Sequence, residues 1–314
     1  MSVYTRIETE HLARLLARFE LTLKGAEAAR HGIENSTFLI DADTASGEPR
    51  PVVLTVFEQF DGAALAPYLE LLASLAAAGL PVPAALSDDH GQRLFEVAGK
   101  PAVLTPRLPG GHCFEPEVPH CQQIGALLAR LHRQPSAPAR ALTDERQRLD
   151  TFAHHLCRLS EGDQMHARQI LEQWAGVDPG DVPVHADLFR DNALFDDQGR
   201  LTGVLDFYNA CLERPEYDLA VALNDWAVAH DGRPVPRRQA ALLAAYRDAG
   251  GHWDESILAL ALAVAALRFW LSRLAGPVSE ESEGEGSKDP SEFARIFGYR
   301  FSALGGVEAS APFG

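Results

Sequence analysis

The chain has 314 residues, 46% hydrophobic and 23% charged, which is ordinary for a soluble globular protein and enough for one large domain or two coupled lobes. A formal net charge of −16 at pH 7 argues against polyanionic partners, so we expect neither nucleic-acid nor membrane binding. The four cysteines form no C-x-x-C pair and the N-terminus carries no apolar signal segment, which favours free thiols in the cytoplasm.

The N-terminal part of the chain predicts a small sheet with one long helix. A first helix is predicted from Thr9 to Phe19, with apolar residues at helical spacing and Thr9 as its N-cap. A second helical pattern covers 63–78, with four leucines on one face and Gly79 as its stop signal. The predicted strands are 28–33, 36–41, 51–57, 93–97 and 102–107.

The rest of the chain is predominantly helical. Residues 108–112, Leu-Pro-Gly-Gly-His, interrupt every regular pattern, so we predict an N-lobe at 1–107, a hinge at 108–112 and a C-lobe at 113–314. The predicted C-lobe helices are 119–133, 144–159, 163–175, 217–230, 237–249 and 255–274. Short strands between Val182 and Phe207 interrupt them, and Val278 to Lys288 is predicted as an acidic loop.

The polar residues of that strand-rich stretch form a spaced motif. His185-Ala-Asp187, followed after four residues by Asn192, matches the H-x-D-x-x-x-x-N catalytic loop of phosphoryl-transfer enzymes. In this interpretation Asp187 is the catalytic base and His185 orients the loop. Asn192 and Asp206, which ends an apolar strand as the Asp of a D-F-G element does, would offer hard oxygen ligands to Mg²⁺.

A structural explanation exists for each of these residues taken singly. Asp187, Asp191 and Asn192 are common turn formers, and Asp206 is a common strand terminator. The joint spacing, the flanking apolar strands and the second strand-terminal aspartate together favour the functional interpretation. Asp191 is given no role.

With these residues in place, His185 to Phe207 resembles the aminoglycoside-phosphotransferase-like kinases. The strings HADLFRDNALF and GVLDFYNAC resemble more narrowly the bacterial homoserine kinases of that fold. Other matching segments follow in the same order, namely Gly32–Ser36, Val53–Glu58, Gly99–Ala102, Tyr217–Leu219, Leu267–Arg273 and Lys288–Phe293. The resemblance implies a bilobal, protein-kinase-like α+β fold with ATP and Mg²⁺ as cofactors. Its small lobe would be a mainly antiparallel sheet with a helix.

The resemblance also implies a nucleotide site in the N-lobe. The turn containing Gly32, Asn35 and Ser36 would close over the phosphates. The hinge, including Arg107 and Leu108, would meet the adenine through backbone groups. Related kinases carry a lysine on the third strand, where this chain has Thr55, and no nearby lysine replaces it.

A homoserine site would need a cation or amide donors for the carboxylate and an acceptor for the ammonium. The candidates near the motif are Arg190, Tyr208 and Asn209. Farther along, Arg268 or Arg273 is predicted to bind the carboxylate, with a structural salt bridge as the alternative for each.

The sequence therefore predicts an ATP-dependent kinase of L-homoserine. Two alternatives stay open. The first keeps the fold but changes the acceptor to an aminoglycoside, choline or ethanolamine, methylthioribose or another hydroxyl compound. The second is a nucleotide-binding pseudokinase without catalysis, suggested by Thr55 and opposed by the complete set of Asp187, Asn192 and Asp206. The oligomeric state stays open.

Overall fold

The structure is a computed structural model that describes residues 5–29, 35–275 and 289–305. The chain divides into two compact units. One comprises Met1–Gly110 with Thr202–Leu205, and the other comprises Gly111–Leu201 with Asp206–Gly314. The first junction falls within the segment 108–112 predicted as a hinge, whereas the assignment of Thr202–Leu205 to the first unit is absent from the sequence prediction.

The first unit is built on a five-stranded sheet in which neighbouring strands are antiparallel. Its order is β1-β2-β3-β5-β4. The elements are α1 (Thr9–Ala17), β1 (Leu21–Ala28), β2 (Asn35–Thr44), β3 (Val52–Phe57), α2 (Gly62–Ala77), β4 (Phe95–Val97) and β5 (Lys100–Pro106). Leu12 and Leu16 of α1 join the core formed by alternate residues of the strands, such as Leu54 and Leu104.

The start of this unit differs from the sequence prediction. The first strand lies at Leu21–Ala28 rather than 28–33, because Glu20 takes a left-handed conformation (φ 57°) after α1 and the chain enters the sheet at once. The N-cap of α1 is Glu8, not Thr9. The predicted turn residue Gly32 and the loop Val278–Lys288 lie outside the described residues.

The helix α2 follows its sequence signals closely. The Asp61 side chain caps it by accepting a hydrogen bond from the backbone nitrogen of Ala64 at 2.7 Å. The predicted apolar face is buried, comprising Leu65, Leu69, Leu72 and Leu75. Gly79 follows the helix with φ of 78°, a conformation that glycine adopts at little cost.

The second unit is mainly helical. Its helices are α3 (Val118–His132), α4 (Glu145–Phe152), α5 (Glu161–Ala175), α6 (Pro215–Trp226), α7 (Pro236–Asp248), α8 (Glu255–Ala275) and α9 (Pro290–Gly305). Its short strands are β6 (Gly111–His112), β7 (Val182–Val184), β8 (Ala193–Phe195) and β10 (Cys211–Glu213); β9 (Leu201–Val204) begins in this unit. β7 pairs with β10 and β6 with β8, both antiparallel.

Two helical predictions need correction. The segment predicted as one helix at 144–159 is α4 followed by a 3-10 helix at Ala153–Arg158, and α9 has no counterpart in the prediction. The helix predicted at 255–274 is α8, which packs against α6 and α9. Among the described residues α8 alone is long and apolar enough for a membrane span, and 67% of its most apolar window is buried within the structure.

Candidate active site

The predicted catalytic loop connects β7 to β8, and a buried aspartate on α6 fixes its first turn. One carboxylate oxygen of Asp218, Oδ2, accepts a hydrogen bond from the backbone nitrogen of His185 at 2.9 Å. The other, Oδ1, accepts from the backbone nitrogen of Ala186 at 2.8 Å. Ala186 has φ of 61°, which is unusual for a residue with a side chain. The two bonds hold this strained turn in place.

Asp218 is itself completely buried and strongly supported. His132 on α3 places its Nε2 3.0 Å from Oδ2, and the other ring nitrogen lies 2.9 Å from the hydroxyl oxygen of Tyr246. Burial alone would raise the pKa of Asp218, but the hydrogen bond and charge of His132 and the groups of His185 lower it overall. Asp218 therefore acts as an ionised acceptor at the base of the loop.

The motif residues meet as the sequence spacing predicts they should. The side-chain amide nitrogen of Asn192 donates to the carbonyl oxygen of Asp187 at 2.8 Å, which closes the loop. The backbone nitrogen of Asp187 donates to Nδ1 of His185 at 3.2 Å. The buried His185 ring packs on Phe207 with 4.4 Å between ring centroids. This arrangement suits His185 as an orienting residue.

Asp206 begins the turn that follows β9. It is exposed and has left-handed backbone angles (φ 58°, ψ 62°), an uncommon conformation for aspartate. Asn192 directs its amide nitrogen into the loop, so its oxygen is the ligand atom it can offer. A carboxylate and an amide oxygen fit Mg²⁺, which prefers hard oxygen ligands and takes its remaining ligands from phosphate and water.

Two of the predicted substrate residues lie on that same turn, after Asp206. Removal from water and the Asp206 charge raise the pKa of Tyr208, so its hydroxyl stays protonated. The side-chain nitrogen of Asn209 donates to Oδ2 of Asp187 at 3.0 Å. The predicted contact of Asn209 with a substrate is thus replaced by an internal contact with the candidate base.

Arg268 on α8 likewise makes internal contacts. Its guanidinium is buried and forms an ion pair with Glu145 on α4, with 3.2 Å between Nε and Oε1. A second nitrogen, Nη2, lies 3.3 Å from the side-chain oxygen of Asn209. Sequence reasoning missed Glu145, and it noted Asp218 only as part of the matching segment Tyr217–Leu219 without giving it a role.

Arg190 and Arg273 line a small charged cavity of about 120 Å³ in the second unit. Its walls are Phe114, Phe189, Arg190, Asp191, Asp225, Arg273 and Glu292. Arg190 is committed to Asp225 through Nε and Nη2 at 3.1 to 3.2 Å. Arg273 reaches Glu292 at 2.6 Å. Asp191, which the sequence analysis left without a role, lies in the wall of this cavity.

In the first unit, the predicted phosphate residues adjoin a half-buried glutamate. Glu58, after β3, accepts hydrogen bonds from the hydroxyls of Thr5 at 2.7 Å and Ser36 at 2.6 Å and forms an ion pair with Lys100. The Ser36 hydroxyl is thus committed to Glu58, and its side chain is completely buried. Asn35 accepts from the backbone nitrogen of Glu58 at 3.4 Å.

Lys100 does not take the position of the missing strand-three lysine. Side chains alternate between the faces of a sheet, and the register pairs Val56 with Ala102 and Thr55 with Val103. Ser36 and Ala102 both pair with Val56, so Glu58 and Lys100, two residues further along their strands, continue that face. Thr55 points to the opposite face.

The predicted hinge residues lie at the end of β5. The backbone nitrogen of Arg107 donates to the carbonyl oxygen of Pro51 at 3.1 Å, so this group is used within the unit. Its exposed side chain lies 3.7 Å from the Asp41 carboxylate. Leu108 is half-buried.

The chain is similar to known proteins over its whole length. Residues 25–253 match the model of the phosphotransferase enzyme family. Homoserine kinase of Pseudomonas aeruginosa strain LESB58 is 37% identical, with 100% of this chain and 99% of the relative covered. Homoserine kinase of Cupriavidus necator strain H16 is 35% identical, with 99% of both chains covered.

A solved structure of similar fold is amicoumacin kinase hAmiN, in complex with AMP-PNP, Ca²⁺ and Ami. It superposes with a TM-score of 0.66 over 98% of this chain and 96% of its own, at 15% identity. At this identity the likeness concerns the fold, which is the protein-kinase-like α+β arrangement that the sequence predicts. That fold prediction is confirmed.

Proposed function

Because this chain belongs to the phosphotransferase enzyme family, we propose that it transfers the γ-phosphoryl group of ATP to the side-chain hydroxyl of L-homoserine, forming O-phospho-L-homoserine for threonine biosynthesis. The choice of homoserine as the acceptor rests on one observation. This chain is 35–37% identical, over essentially the full length of both chains, to proteins named homoserine kinase. We also propose that the enzyme is cytoplasmic and that its partners are small molecules only.

The catalytic loop supplies the groups that this reaction needs. Asp187 accepts the proton of the homoserine hydroxyl as its oxygen attacks the γ-phosphorus and the bond to the β-phosphate oxygen breaks. Asn192 and Asp206 would hold Mg²⁺ through oxygen atoms. The ion, when bound, neutralises charge on the phosphate oxygens. His185 orients the loop, since its ring accepts from the backbone of Asp187.

The charged cavity supports the choice of an amino-acid acceptor. Homoserine carries a carboxylate and an ammonium group, and the cavity has both signs of charge beside the loop residues Phe189 and Asp191. We assign Arg273 to the carboxylate, which it would bind in place of Glu292. Asp191 would accept from the ammonium, while Arg190 stays bound to Asp225 and shapes the wall.

For the nucleotide, we keep Gly32, Asn35 and the hinge residues Arg107 and Leu108 as proposed contacts. Ser36 has a supporting role, because its hydroxyl helps to bind the start of β2 to Glu58. With Thr55 in place of a lysine, phosphate binding would rest on backbone groups and the metal.

The proposal is tested by ATP consumption against a panel of L-homoserine, choline, methylthioribose and an aminoglycoside. We expect stimulation by homoserine alone. A clear preference for another acceptor would overturn the homoserine assignment, and turnover of none would favour the pseudokinase alternative.

Two analogues then test the cavity. 4-Hydroxybutyrate lacks the ammonium and 3-aminopropanol lacks the carboxylate, so each should lose about 10²-fold or more in kcat/KM. Arg273→Lys should raise KM for homoserine about tenfold. It should also reduce the ratio of kcat/KM for homoserine to kcat/KM for 3-aminopropanol. The control is Arg233→Lys, which changes an arginine paired at the surface with Asp231 and should leave both values unchanged. Equal effects of the two variants would remove Arg273 from the site.

A further inference from the structure

We propose that Asn209, Arg268 and Glu145 form a relay of positioning residues that holds the Asp187 carboxylate in one orientation. The proposal rests on the assignment of Asp187 as the base in the proposed function, but not on the identity of the acceptor. None of the three residues needs to contact the substrate. The relay joins three separate parts of the second unit, α4, α8 and the turn after β9.

Asn209 forms the link to Asp187, and its neighbours fix the direction of its amide. A carboxylate only accepts hydrogen bonds and a guanidinium only donates them. The nitrogen of the Asn209 amide must therefore face Asp187, at 3.0 Å, and its oxygen must face Arg268, at 3.3 Å. Reversing the amide would lose both bonds. The amide thus presents a donor to the base at all times.

Arg268 provides positive charge close to Asp187. Its side chain is 5% exposed, and its guanidinium lies 4.1 Å from the ring centroid of Phe269 and 5.5 Å from that of Phe152. Burial would lower the pKa of Arg268, but the charges of Glu145 and Asp187 are among those that raise it overall. Arg268 therefore stays charged and donates to the Asn209 oxygen, which fixes the amide.

Glu145 anchors the other end of the relay. It is completely buried and accepts from Arg268, from Arg148 at 2.9 Å and from the hydroxyl of Tyr217 at 2.7 Å. Burial and the Glu145 charge raise the pKa of Tyr217, so its hydroxyl remains a donor.

Arg148 also donates to the backbone carbonyl of Asn209. The two arginines that Glu145 binds, Arg148 and Arg268, therefore hold Asn209 by its main chain and its side chain. The charged residue on this turn is Asp206, and it is exposed.

The test replaces both members of the ion pair, Glu145→Gln with Arg268→Met, so that neither is left as a lone buried charge. Arg148 keeps its bond to the backbone carbonyl of Asn209. We expect kcat to fall about 10–100-fold, with KM for the acceptor and for ATP within about twofold of wild type.

The chain offers a closely matched control in the same unit. Arg146 pairs with the completely buried Glu213 at 3.2 Å and lies 5.2 Å from the ring centroid of Trp174, so it repeats the chemistry of the relay pair. The double variant Arg146→Met with Glu213→Gln should lower the melting temperature to a similar extent. Its kcat and its KM values for the acceptor and for ATP should stay within about twofold of wild type.

A second variant covers the case in which the relay double variant does not fold. Asn209→Ala removes the link without touching an ion pair and should lower kcat about tenfold at unchanged KM. A wild-type kcat in either relay variant would overturn the relay. If homoserine is not the acceptor, the same comparison uses the acceptor that the panel identifies, so the two proposals fail separately.

Discussion

Each unit of this protein contains a carboxylate that accepts hydrogen bonds from distant parts of the chain, half-buried in the first unit and completely buried in the second. The two carboxylates differ in the groups that they bind. Glu58 in the first unit accepts from the side chains of Thr5, Ser36 and Lys100. Asp218 in the second accepts from two consecutive backbone nitrogens and a histidine. A carboxylate that binds side chains stabilises contacts, whereas one that binds backbone nitrogens determines the path of the loop.

This difference predicts that Asp218 affects both stability and catalysis, while Glu58 affects stability. Asp187 differs from both, because it lies at the end of the relay formed by Glu145, Arg268 and Asn209 and its side chain supports little of the fold. The three carboxylates can be ranked by substitution.

The largest effect on activity is expected for Asp187→Asn. The amide keeps the shape but cannot accept the proton, and general-base catalysis contributes about 10²–10⁴-fold. We expect kcat to fall by that factor and the melting temperature to stay within about 2 °C, measured by steady-state kinetics and calorimetry. Retention of more than a tenth of wild-type kcat would remove Asp187 from the proposed role.

A smaller loss of activity, with the largest loss of stability, is expected for Asp218→Asn. The amide nitrogen would face the backbone nitrogen of His185 or Ala186, and His132 would lose its buried partner. We expect about 3–5 kcal/mol of destabilisation in denaturant unfolding and at least a tenfold lower kcat. A stable variant with normal kcat would show that the strained turn at Ala186 needs no anchor.

The smallest effect is expected for Glu58→Gln. It weakens the hydrogen bonds of Thr5 and Ser36 and leaves Lys100, which is partly exposed, without its ion pair. We expect about 1–2 kcal/mol of destabilisation at pH 7 and a kcat within about twofold of wild type. A loss of kcat as large as that of Asp218→Asn would erase the contrast between the two units.

The pH dependence of this variant gives a further check with a defined sign. Burial would raise the pKa of Glu58, but its bonds to Lys100, Ser36 and Thr5 lower it overall. A lowered folded-state pKa gives stability that is present above the unfolded value, about 4.3, and is lost as the pH falls through the folded-state value. The difference in melting temperature between wild type and Glu58→Gln should therefore shrink below about pH 4.

The parts of the molecule that the sequence predicted are those specified by short-range pattern. The leucine face and stop signal of α2 are local features, and so is the loop from His185 to Asn192. The sequence places the first strand too late because Leu21–Ala28 has only one fully buried residue and is interrupted by Lys24, Gly25 and Glu27. The alternation that marks a strand is weak there.

The supporting residues of the site could not be found in the same way. Glu145 and Arg268 are 123 positions apart, and nothing local distinguishes Glu145 from a solvated first-turn glutamate. For Arg268 the sequence leaves two interpretations open, a substrate contact and a structural salt bridge, and the buried ion pair with Glu145 is the second of these. Asp191 is given no role by the sequence pattern and lies in a cavity wall.

The assignment of Thr202–Leu205 to the first unit means that the polypeptide passes between the units at three places, after Gly110, after Leu201 and after Leu205. Neither unit is therefore a continuous stretch of chain. A cut by a protease at the first junction would leave no covalent bond between 1–110 and 111–314, but the second fragment would carry Thr202–Leu205, which belongs to the first unit. The backbone nitrogen of Val204 donates to the carbonyl oxygen of Pro81 at 2.8 Å, so this segment can hold the two fragments together. Fragment complementation should accordingly succeed with a break at 110/111, and a truncation at that point should yield a first unit without its returning segment.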